Sequence, residues 1–101
     1  MDTSQPGAGE PDTGRPLVVT LTARPGREEV ARLCARLAAA PPAGVVCEAG
    51  ALVRADLAAV DALARLGLAA ARHGHRIRFR GVGPDLRVLL RLAGLEETLG
   101  L

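Results

Sequence analysis

The chain has 101 residues, with 13 basic and 11 acidic side chains and a formal net charge of +2; every basic residue is arginine. That length fits a single domain, and 49% apolar residues supply a core of Leu, Val and Ala. With Phe79 as the single aromatic, the chain lacks the stacking platforms of a single-strand nucleic-acid binder, and so small a net charge makes no case for a nucleic-acid partner.

Residues 1–15, MDTSQPGAGEPDTGR, are rich in Gly, Pro and polar groups. They have too little apolar surface to bury, which predicts a disordered tail ahead of a domain over residues 16–101. No basic stretch is followed by an apolar run, so no signal peptide is visible. No apolar run approaches the ~20 residues of a membrane span. Both points predict a soluble, cytoplasmic protein without membrane insertion. Leu17 to Thr22, LVVTLT, is β-branched and alternating, the pattern of a strand. Ala23 to Gly26 reads as a turn. From Arg27 to Ala39, Val30, Leu33, Cys34 and Leu37 recur at helical spacing, and Pro41 and Pro42 forbid continuation.

Val45 to Glu48 reads as a short strand, apolar enough to be buried on both faces. A long helix from Leu57 to Arg72 follows, with Asp56 ahead of it as a capping residue. Ala59, Val60, Leu63, Leu66, Gly67 and Ala70 share one side at 3.6 residues per turn and are expected on the sheet. Gly74 suits a left-handed stop. Arg76 to Arg80, RIRFR, alternates strictly, with Ile77 and Phe79 on one face and three arginines on the other. Those arginines suit a solvated edge, an anion, or pairing with neighbouring acids. Pro84 opens a third helix with Leu86, Leu89, Leu90 and Ala93 facing the core, Gly94 as its cap, and Leu95 to Leu101 as a final turn or edge strand. Strand and helix alternate three times. The expected fold is therefore α/β, a mostly parallel central sheet with helices packed on it.

The residues VVCEAGALVRAD, the helix LAAVDALARLGLAAARHGH, the strand RIRFRGV and the closing PDLRVLLRLAGL together resemble the STAS domain family. That family includes anti-sigma factor antagonists and an MlaB-like subunit of a lipid transporter. The resemblance implies a STAS-like single domain, non-enzymatic and cofactor-free, that binds another protein. The front half departs from the family pattern: TARPG at Thr22 to Gly26 replaces its Gly-x-Leu/Ile-Asp element, which puts the family's first strand in doubt. In switching members an Asp is followed by a phosphorylatable Ser or Thr. Here Asp56 is followed by Leu57 and Ala58, so the resemblance implies binding without the phosphoswitch. The leading role it implies is regulation of transcription as an anti-sigma factor antagonist, with an ATPase-type anti-sigma kinase as partner. The alternatives are an accessory subunit of an ABC-type lipid transporter and a small-ligand or lipid-binding module.

The exposed side of the long helix is expected to carry Leu57, Asp61, Ala64 and Leu68, with Arg65 four residues after Asp61. Two leucines on a polar stripe suggest a dry contact surface. The candidate partner-binding residues are therefore Asp56, Leu57, Ala58, Asp61 and Leu68. His73 and His75 are too few for a metal site and are expected on the surface. Cys34 and Cys47 read as buried thiols in apolar patterns, not as nucleophiles. No catalytic constellation, phosphate loop or dinucleotide glycine pattern occurs.

Overall fold

The computed structural model describes residues 16–100; the expected disordered tail lies outside them. The element order is β1 (Leu17–Thr20), α1 (Arg27–Ala39), β2 (Gly44–Glu48), α2 (Leu57–Arg72), β3 (Arg76–Arg80) and α3 (Pro84–Leu92). The three strands lie side by side in chain order and all parallel. Leu17 pairs with Val45 and Val45 with Ile77. Each parallel step requires a crossover, supplied here by a helix. Because both crossovers advance in the same direction with the same hand, α1 and α2 fall on one face of the sheet. They pack on each other, and α3 packs on α2.

The core lies between those layers. Val19, Val45, Cys47 and Phe79 point down from the strands onto Leu33 and Leu37 of α1, Ala59, Leu63, Leu66 and Ala70 of α2, and Leu86 and Leu90 of α3. Each buried Leu or Val contributes about 1.5–3 kcal/mol relative to exposure, which offsets the poor helix propensity of Val and Gly within the elements. The opposite face of the sheet has no covering element among the described residues. Val18 and the three arginines Arg76, Arg78 and Arg80 are exposed, and Val46 and Glu48 are half-buried. The expectation that β2 is buried on both faces is therefore corrected: with helices on one side only, alternate residues of this parallel strand meet water. Arg80 pairs with Glu48 across the neighbouring strand at 3.3 Å, one of the fates open to those arginines.

β1 ends at Thr20, two residues earlier than the alternation suggests, although Leu21 still donates to the Glu48 carbonyl at 3.0 Å and is fully buried. The cause lies at Thr22. Its N–H donates at 2.8 Å to the Glu29 carboxylate, which pulls the chain off the ladder and into the first turn of α1. Ala93 is exposed at the C-cap of α3 and does not face the core. Beyond it Gly94, at φ 74°, lets Leu95 N–H reach the Leu90 carbonyl at 2.8 Å and Gly94 N–H reach Arg91 at 3.0 Å, the two bonds of a Schellman stop. The closing segment is a turn, with Leu99 N–H bonded to the Leu95 carbonyl at 2.9 Å. It buries Leu99 in the notch that Gly67 leaves on α2, where a Cβ would stand 2.5 Å from the Leu99 side chain.

His75 is a second correction. It is 6% exposed, not a surface histidine. Its Nδ1 accepts from the Ala43 N–H at 3.2 Å, and its Nε2 lies 2.6 Å from the Leu37 carbonyl. With Nδ1 accepting, Nε2 carries the proton and donates. One neutral ring thus ties the end of α1, the entry to β2 and the start of β3. Cys34 is also shifted from expectation: it is half-buried at the seam between α1 and α2, with its thiol 3.9 Å from the Arg65 carbonyl.

Candidate functional site

The loop from Ala49 to Asp56 is fixed by backbone contacts before any side chain is considered. Ala49 N–H donates to Arg80 at 2.7 Å, Leu52 N–H to Ala49 at 3.2 Å, and Val53 N–H to Ala23 at 3.2 Å. Gly50 lies directly under Gly81, whose φ is 77°; a Cβ on Gly81 would stand 2.8 Å from the Gly50 Cα. At Gly81 this close backbone approach and the left-handed φ permit only glycine, whereas a Cβ on Gly50 would meet the Gly81 Cα at an ordinary 3.9 Å. The loop therefore presents the start of α2 in one orientation.

Asp56 is the N-cap. Its Oδ1 accepts from the Ala59 N–H at 3.0 Å, and its Oδ2 lies 4.0 Å from an Arg54 guanidinium. The carboxylate thus satisfies one free donor of the first turn and complements the positive end of the helix. Leu57 and Ala58 follow, both exposed, Leu57 at 78%. Asp61 is exposed and held by Arg65 Nε at 2.7 Å, an i,i+4 pair. That hydrogen bond, and then the charge of Asp61, raise the Arg65 pKa above its ordinary value. Leu68 is 55% exposed. At 1.5 Å per residue the stripe from Leu57 to Leu68 extends roughly 16 Å along the helix. Leu57, Ala58, Asp61 and Leu68 thus lie on the exposed side of α2, with Asp56 just ahead of them and spent on the cap, and Asp61 bonded to Arg65.

Sequence patterning missed the neighbours of this stripe. Val53, in the loop, is 61% exposed beside the α2 start. Ala23, Arg24 and Pro25 from the β1–α1 loop meet Leu52, Arg54, Asp56, Ala58 and Ala59 around a small cleft of about 240 Å³. On the other side of the stripe a long open groove runs between α1 and α2. Alanine was the obscuring factor: Ala31, Ala35 and Ala38 of α1 line that groove, and alanine fits a core face and a surface equally well.

Chemically the region offers capping, apolar contact and charge pairing. Among the described residues no group of three or more His, Cys, Asp or Glu side chains is placed to hold a metal. Burial, and secondarily the charge of Glu48, push the Cys47 thiol up to about 12, so it stays protonated at neutral pH. Burial also raises the Cys34 thiol, opposed in part by Arg65. Neither cysteine is an activated nucleophile. No helix among the described residues is long and apolar enough to cross a membrane.

The described residues thus form a two-layer α/β domain with three parallel strands, an acid-capped central helix and an exposed apolar stripe beside that cap. The family model described as "Mlab, STAS domain" matches residues 8–101, and the chain belongs to the STAS domain family. No curated protein and no solved structure matches the chain. STAS domains are generally non-enzymatic and typically interact with other proteins.

Proposed function

We propose that this chain is a non-enzymatic binding module that docks a partner protein on the exposed stripe of α2. The observation that carries the reading is the exposure of Leu57 and Leu68, two large aliphatic side chains on the solvent side of a helix whose other side is filled by core contacts. Desolvating each on binding contributes about 1.5–3 kcal/mol. Asp56, Ala58 and Asp61 complete the surface, the acids giving it register and polarity. With Leu57 and Ala58 in the two positions after the capping Asp, no hydroxyl is available there for phosphorylation, so contact is constitutive and set by concentration.

Two partners fit such a module. One is an ATP-binding subunit of an ABC-type lipid transporter, braced by this chain as an accessory subunit; the Mlab description of the matched family model and the absent hydroxyl favour it. The other is an ATPase-type anti-sigma kinase, bound without the switch, in a cytoplasmic regulator of transcription. A small-ligand role has less support: the cleft of about 240 Å³ falls below the about 300–1,000 Å³ of typical ligand sites, and the larger groove between α1 and α2 is an open surface channel, not an enclosed pocket. The test is affinity capture from the native cell with wild type and Leu57→Asp. The substitution should abolish capture while leaving the melting curve unchanged; undiminished capture removes the reading. Recovery of a transporter ATPase or of an anti-sigma kinase separates the two partners.

A further inference from the structure

The groove between α1 and α2 has a volume of about 1130 Å³ and is open along its length. Its floor is made of methyl groups and a thiol: Ala31, Cys34 and Ala35 from one helix, Ala62 and Ala69 from the other. Both helices follow strands of the same direction, so they run parallel, and the two ends of the groove differ. Arg27 stands at the end where α2 begins, together with Ala58. Arg72 stands at the opposite end, where α2 stops, and Arg65 lies between them.

The charges are unbalanced. Three guanidinium groups line the groove against one carboxylate, Asp61, which is already bonded to Arg65 at 2.7 Å. Neither Arg27 nor Arg72 makes a salt bridge among the described residues. The apolar floor is continuous with the docking stripe, because Ala58, Asp61 and Leu68 belong to both. Alanines on two helices leave a channel shallow enough for a third helix to approach closely, as ridges packed into a groove do at 8–10 Å.

We propose that the partner's contact element is an amphipathic helix with small apolar anchors flanked by carboxylates, seated along the α1–α2 groove with its acids against Arg27 and Arg72. This rests on the reading of α2 as a docking surface and names the chemistry of what docks. The floor excludes water, and the cations at the two ends fix direction and register. A cationic helix of the same shape is rejected by the same arginines.

The test uses two stapled helical peptides of about 18 residues, roughly 27 Å long, with identical Ala and Leu faces and either Glu or Arg at the flanking positions. Binding to the full chain is followed by fluorescence anisotropy and by amide chemical shifts. The Glu peptide should bind, shift the amides of Ala31, Ala35, Ala62 and Ala69, and weaken as salt rises. The Arg27→Glu, Arg72→Glu double variant, shown folded by its melting curve, should bind it about tenfold more weakly, as expected for losing two partly exposed ion pairs. Equal binding of the Arg peptide, shifts confined to another face, or no binding of either peptide overturns the proposal. Native capture keeps the two ideas apart. If Leu57→Asp loses the partner and the double arginine variant keeps it, the groove is wrong and the docking stripe stands. The reverse pattern leaves the groove and removes the stripe.

Discussion

Replacing Gly81 by alanine tests how the α2 start is held. Gly81 has φ 77° and its Cα hydrogen points at the Gly50 backbone; an added Cβ would stand 2.8 Å from the Gly50 Cα and 2.9 Å from its nitrogen. The left-handed conformation alone costs a residue with a Cβ about 1–2 kcal/mol. The clash adds to this, because the obstructing atoms are backbone and are themselves pinned by the 2.7 Å Ala49–Arg80 hydrogen bond. A loss of about 2–4 kcal/mol is expected, a large share of the about 5–15 kcal/mol available to a domain of this kind. The matched control is Gly44→Ala, where a Cβ meets nothing within 4 Å. There the reduced freedom of the unfolded chain should stabilise by about 0.4–1 kcal/mol. Urea denaturation of the three proteins gives both numbers, and amide exchange of residues 50–56 shows whether the loop has loosened. If Gly81→Ala unfolds at the same urea concentration as Gly44→Ala, the backbone contact does not hold this loop and the reasoning fails.

Removing the tie made by His75 should also be costly. His75→Leu leaves the Ala43 N–H and the Leu37 carbonyl without their partners, and a loss of roughly 1–3 kcal/mol is expected, mostly from the stranded buried carbonyl of Leu37, since the Ala43 N–H is only part-buried; an unchanged denaturation midpoint would contradict it. Asp56→Ala should cost about 1 kcal/mol through the lost cap, and Asp56→Ser should recover most of it; equal stabilities of the two variants would show that the Ala59 bond is immaterial. The Cys47 thiol, held up to about 12, should resist iodoacetamide at pH 8 until denaturant is added, which mass spectrometry reads directly. The same shift has a sign for stability: the fold favours the neutral thiol, so its contribution is intact below the ordinary thiol value of 9.0 and is lost as pH rises toward about 12. Alkaline melts of wild type and Cys47→Ala should converge across that window, and parallel curves would refute it.

Much of this architecture was legible because apolar periodicity reports which face of an element is buried. The strict alternation of RIRFR and the 3.6-residue repeat of Val60, Leu63, Leu66 and Ala70 each have one physical solution on a two-layer fold. What escaped is tertiary in origin. Nothing local distinguishes His75 from its neighbour His73; its burial follows from two backbone groups, 38 and 32 positions away, that need its ring. The half-exposed face of β2 depends on where the helices land, and a run such as VVC carries no record of that. At the candidate site, Asp56 and the stripe of Leu57, Asp61 and Leu68 could be placed on one helix from spacing alone. Val53 and the alanine wall of α1 could not, since a loop has no period and alanine has no preferred side.

The side-by-side order of the three strands also sets a timetable. A ribosome delivers them in the sequence in which they sit, so each strand–helix unit finds its neighbour already made, although each parallel pairing, Leu17 with Val45 and Val45 with Ile77, closes across a whole helical crossover. The anchor for the β2–α2 loop comes late, because Arg80 and Gly81 are made well after Leu57 and Leu68. A nascent chain paused before β3 therefore carries the exposed leucines on a helix whose entry is not yet clamped. The exposed stripe acquires its final orientation only when the third strand zips in and the sheet is whole.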